Sequence, residues 1–174
     1  MLQIRCTAKV LDALGAKASD TCEIVEPDTL LGHWYANLFN VDRRKSIILM
    51  NEKTLLSFML FGVKKGNIQR LPEMFIRGLV QTLDYLQFGA EAIERLLGGY
   101  EVVELTKTNN RRLLGNLTDL MHQYTHCINY DGGLKYCDLG EIVISVNNMP
   151  QRNLGWDFSV DAVRELLENE GKDA

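Results

Sequence analysis

The chain has 174 residues, 46% of them hydrophobic and 24% charged, with a net charge of −4, enough chain and an ordinary balance for one globular core. The acidic sign removes any global pull toward phosphate and leaves nucleic-acid binding to a local basic patch. No apolar run has the length needed to span a bilayer, so no membrane partner is expected, and MLQIRCTAK lacks the apolar stretch of a secretory signal.

Met1 to Cys6 alternates apolar and polar residues and predicts a short strand. Thr7 is placed to cap a helix with Val10, Leu11 and Leu14 on one face and Gly15 at its end. Residues 16 to 30 have no period and read as a surface loop. Three apolar runs follow, Trp34 to Val41, Ser46 to Met50 and Thr54 to Phe61, broken by Asp42-Arg43-Arg44 and Asn51-Glu52-Lys53. Their length, their β-branched and aromatic content and the tight polar breaks predict a three-strand meander. Ile47 to Met50 is apolar without interruption, as a strand covered on both faces should be.

Gly62 to Asn67 is a basic loop. Pro72 sits in the first turn of a predicted long helix near Leu71 to Leu86, whose stripe of Phe75, Ile76, Leu79, Leu83 and Leu86 should cover the sheet. Ala90 to Leu97 predicts a shorter helix. Tyr100 to Thr106 predicts a strand, and a helix capped near Asn110 should run to about Ile128. Asp138 to Asn147 fits both a capped helix and a strand, and the helix is preferred. A last helix follows Ser159. With no repeat or linker, residues 1–174 are expected to form a single domain. The fold expected is α+β, a mainly antiparallel sheet built on the meander and covered by the long helix and several shorter ones.

Candidate chemistry is sparse. Arg43, Arg44 and Lys45 in the first turn and Lys64 and Lys65 in the basic loop can form one patch if both loops lie at the same sheet end, with Lys107, Arg111 and Arg112 extending it. Such a patch grips phosphates by charge with little base preference, and Trp34 and Tyr35 would stack bases if exposed. The alternative is a solvated turn with scattered charges. Asn116 and Asp119, with Arg111 upstream, are placed at the start of one helix, where an anion can bind; the alternative is local capping. His122 and His126 share a helix face at zinc-ligand spacing, with Cys127 adjacent, but Gln123 stands where a zincin needs glutamate, so no metal is assigned. Cys6 at a helix start is either a reactive thiol or a buried inert one. The four cysteines (Cys6, Cys22, Cys127 and Cys137) lack CxxC spacing and are expected to be free in a cytoplasmic protein. There is no cofactor fingerprint and no phosphate-binding glycine loop.

Taken together, IRCTAKVLDALG, LGHWYANLF, NEKTLLSFML, GVKKGNI, TKTNNRRLLGNLTDL and MPQRNLGW resemble a family of uncharacterised, mostly bacterial proteins known as a domain of unknown function. Members of that family often carry a serine near position 112 and a small residue near 116, where this chain has Arg112 and Asn116. The resemblance implies a cytoplasmic single-domain protein and no particular activity. Two functional classes follow from the residues. One is a binding or interaction module with a basic polyanion patch, touching nucleic acid or a protein weakly. The other is a small enzyme with a polar site drawn from Thr7, Lys9, Asn37, Arg43, Arg111, Asn116 and Asp119.

Overall fold

The structure is a computed structural model and describes residues 1–173. In chain order it runs β1 (Leu2–Cys6), α1 (Ala8–Leu14), β2 (Trp34–Val41), β3 (Arg44–Asn51), β4 (Ser57–Phe61), α2 (Leu71–Tyr85), α3 (Ala90–Leu96), β5 (Val103–Lys107), α4 (Arg111–Tyr130), α5 (Leu139–Asn147), β6 (Pro150–Gln151), β7 (Asp157–Phe158) and α6 (Ser159–Asp173). It is α+β, with five strands in one sheet in the order β4-β3-β2-β1-β5 and a two-strand β6–β7 ribbon apart from it.

The sheet is mixed, which corrects the expectation of a mainly antiparallel one. β2 pairs antiparallel with β3 and β3 with β4, but β1 pairs parallel with both β2 and β5. Short turns dictate the antiparallel pairs. The long connections that carry α1 and then α2 and α3 allow β1 and β5 to enter in parallel beside β2.

Two strands are shorter than their apolar runs. β4 begins only at Ser57, because the fully buried Asn51 side chain gathers the preceding residues into a turn. Its Oδ1 accepts from the Lys53 and Thr54 amides and from Thr54 Oγ1 at 2.9–3.1 Å. β5 begins at Val103, opposite Leu2, because Tyr100 is buried in the core instead.

Alternation along the strands divides the core in two. Leu2, Ile4, Trp34, Ile47, Leu49 and Phe58 face a layer made by α1, α2 and α6, where Phe75, Leu79 and Leu83 supply the α2 stripe. Tyr35, Phe39, Ile48 and Met50 face α4 and α5, through Leu117, Leu120, Tyr124 and Ile128 of α4. Helix α2 lies close because Gly78 carries no side chain: a Cβ there would stand 2.7 Å from the Phe58 ring and 2.9 Å from Leu60.

Beside α4, the rest of that second face, over β1, is roofed by the irregular segment 21–32. Its backbone has no ladder of its own, and polar residues of β1 satisfy it. Gln3 Nε2 donates to the Glu23 carbonyl at 2.7 Å and Gln3 Oε1 accepts from Val25 N at 3.1 Å; Arg5 donates to the Val25 carbonyl at 3.2 Å. The polar half of the β1 alternation is thus buried, not solvated. The open edge of β4 is closed by α5. Ser57 N donates to Asn147 Oδ1 and Asn147 Nδ2 returns a bond to the Ser57 carbonyl, both at 2.9 Å. Asp138 caps α5 through Glu141 N at 3.1 Å, which settles the 138–147 segment as helix.

Candidate functional site

The predicted site residues fall in three places. Arg43 lies in the two-residue β2–β3 turn, where Asp42 and Arg43 have φ of 48° and 61°, the left-handed pair that matches strand twist. Arg43, Arg44, Lys64 and Lys65 are all exposed, and among the described residues none of them forms an ion pair. Strand pairing sets Phe61 opposite Ser46 and Ser46 opposite Phe39, so the turn and the loop after β4 leave the sheet at the same end. They are anchored on opposite faces. The Asp42 carboxylate accepts from Leu134 N beyond α4, whereas Gly66 N donates to the Leu14 carbonyl at the end of α1 at 3.0 Å. Trp34 and Tyr35, the stacking candidates, are both fully buried. Trp34 packs edge-on against Phe58 and Phe75 at 5.5 and 5.2 Å between ring centroids, and its Nε1 donates to Tyr100 Oη at 3.0 Å. Neither can receive a base.

The start of α4 does not present free amides to an anion. Asn110 caps it, accepting from Arg112 N at 3.0 Å and Leu113 N at 3.2 Å. Arg111 is exposed beside that cap. Asn116 and Asp119 lie beyond the first turn, which corrects their expected placement at the start of the helix, where they would bind an anion or cap. Thr7 occupies the N-cap position of α1, but its hydroxyl donates to Asn37 Oδ1 at 3.0 Å and makes no cap bond. Burial pushes the Cys6 thiol up to about 12, so it stays protonated and inert at neutral pH.

Helical spacing puts Leu117, Leu120, Tyr124 and Ile128 of α4 toward the sheet. The adjacent stripe, Asn116, Asp119 and Gln123, then faces the β6–β7 hairpin. Between them is a concavity of about 350 Å³ whose other wall is Gln151, Arg152, Asn153 and Trp156, with His122 on its rim. Asn116, nearly buried, holds the two walls together by accepting from Asn153 Nδ2. Among the described residues the Gln123 carbonyl oxygen has no hydrogen-bond partner, and it is sealed from the groove. Trp156 is 66% exposed and holds a φ of 69°, in a turn where Gly155 already has a φ of 65°. A second concavity of about 270 Å³ shares Asn116 and Asn153 and continues to Arg112, Glu52 and Lys53. The larger of the two falls in the volume range of small-molecule sites and combines polar groups with an aromatic wall. His126 and Cys127 lie further along α4, in a separate cleft of about 390 Å³ against α5. Among the described residues no three His, Cys, Asp or Glu side chains are gathered for a metal.

Of the residues singled out from the sequence, the groove brings together Asn116, Asp119 and His122, with Arg112 in the adjoining hollow; Arg43, Arg44, Lys64, Lys65 and Arg111 do not line it. Gln123, Arg152, Asn153 and Trp156 were not legible as a group, because nothing in sequence spacing ties α4 to a hairpin some thirty residues on. The one available signal was a tryptophan following glycine in the polar run QRNLGW, outside any apolar period.

This combination defines an α+β protein with a mixed five-strand sheet between helical layers and a polar, ligand-sized groove beside one of them. The chain belongs to the family described as Domain of unknown function (DUF6933), whose model matches residues 3–162. No curated protein matches it. Among the described residues no helix is long and apolar enough to cross a membrane.

Proposed function

We propose that this protein is a binding module whose ligand enters the groove between α4 and the β6–β7 hairpin. The observation that carries this reading is the exposed Trp156, held at a φ of 69° on the wall of a concavity of about 350 Å³. Holding a tryptophan at positive φ costs about 1–3 kcal/mol. The test is a thermal-shift screen of polar metabolites against the wild type, Arg152→Ala and Trp156→Ala. Stabilisation of the wild type that both variants lose supports the reading; stabilisation that both retain refutes it.

The basic loops carry a second reading, favoured by their four unpaired cations at one sheet end. Arg43, Arg44, Lys64 and Lys65 bind a polyanion weakly by charge, and affinity for single- and double-stranded oligonucleotides falls steeply with salt. Titration at low and physiological salt should show weaker binding for Arg43→Ala/Lys64→Ala than for the wild type. Equal, negligible binding by both proteins at low salt discards it.

A further inference from the structure

The chemistry of the groove narrows its ligand, on the reading that the groove is the binding site. We infer that it takes a nucleotide, with the base stacked on Trp156 and the phosphate paired with Arg152. Trp156 presents a large indole surface to solvent at the rim, where a tryptophan packed into the core would be of no use to a ligand. Exposed aromatic faces bind bases by stacking, whatever the base. Arg152 adds a guanidinium on the wall that carries Trp156, suited to a phosphate. Asp119 repels a phosphate but accepts hydrogen bonds from ribose hydroxyls, a role carboxylates fill in dinucleotide sites. A sugar phosphate without a base offers no flat ring to stack on the indole, and an inorganic anion leaves the indole unused.

The shared chemistry of a free nucleotide and of one residue in a single strand is the base with its phosphate, and the test separates these sources. The chain has two tryptophans, Trp34 buried and Trp156 exposed, so quenching of the exposed one reports stacking directly. The four nucleoside monophosphates, ribose 5-phosphate, inorganic phosphate and a single-stranded tetranucleotide are titrated into the full chain. Saturable quenching by at least one monophosphate or by the tetranucleotide, with none from ribose 5-phosphate or phosphate, is the expected result. A response to the tetranucleotide alone assigns the source to a strand. By calorimetry, Trp156→Phe should keep binding, while Trp156→Ala and Arg152→Ala should each weaken it at least tenfold; unchanged emission from Trp34 checks that the variants fold. Binding of sugars or amino acids that Trp156→Ala abolishes, without response to any base, overturns the nucleotide assignment and leaves the groove reading standing. No response to any class overturns both.

Discussion

His33 illustrates how a single buried side chain fixes both a protonation state and a local structure. The backbone amide of Gln3 donates to its Nδ1 at 3.1 Å, so that nitrogen must accept, and Nε2 carries the proton toward the Val25 carbonyl at 3.0 Å. A second proton on Nδ1 would face an N–H donor. Burial therefore pushes the pKa of His33 below its ordinary 6.5, a larger effect than the opposing pull of the Val25 bond and of Glu52. The unfolded chain binds the proton first. The contribution of His33 to stability is complete above pH 6.5 and is lost progressively as the pH falls below it. Urea unfolding between pH 5 and 8 should show this decline in the wild type and a flatter profile in His33→Asn. A wild type that gains stability on acidification through this window would contradict the assignment. Arg5 belongs to the same buried group: it donates to Tyr35 Oη at 3.0 Å and lies 3.6 Å from Glu52, joining β1, β2 and the β3–β4 turn.

At the scale of elements, the edge of β4 depends on one amide. Asn147 accepts from Ser57 N, donates to the Ser57 carbonyl, and also donates to the Val143 carbonyl of its own helix at 2.8 Å. Tyr124 Oη donates to the same Ser57 carbonyl at 3.0 Å, so α4, α5 and β4 meet there. Asn147→Ala strands a buried strand N–H and should cost about 2 kcal/mol in chemical denaturation. Asn148→Ala, one residue on and exposed, should cost less than about 0.5 kcal/mol. Equal losses would show that α5 is held by its apolar face alone. The local signals of these elements were readable: the Asp138 cap before a helical stripe, Pro72 at the start of α2, and the unbroken apolar run of β3 with a core on each side. Sheet direction was not, because it depends on where β1 and β5 dock after long connections, and no residue in either strand encodes its neighbour. The extent of β4 was hidden for a different reason. Thr54, Leu55 and Leu56 are as apolar or β-branched as strand residues, and the local bonds of the Asn51 side chain, two and three residues on, turn them aside.

At the scale of the whole molecule, each face of the sheet is closed by a different means. One is covered by α1, α2 and α6, and the other by α4, α5 and the segment 21–32 pinned through Gln3, Arg5 and His33. The β6–β7 hairpin is left at the margin of the second layer, where it forms a wall of the groove and does not join the main sheet. Half of that groove was visible in the sequence, since Asn116 and Asp119 stand out on α4; the other half required the chain to return after α5. The central claim is that ligands select this groove over the basic loops and over the α4–α5 cleft. The most direct measurement is amide chemical-shift mapping of the isotopically labelled protein with a pool of polar fragments that includes nucleotides. Perturbations clustered on Asn116, Gln123, Arg152 and Trp156 are predicted. Perturbations confined to His126, Glu141 and Ser145, or to Arg43 and Lys64, would contradict it.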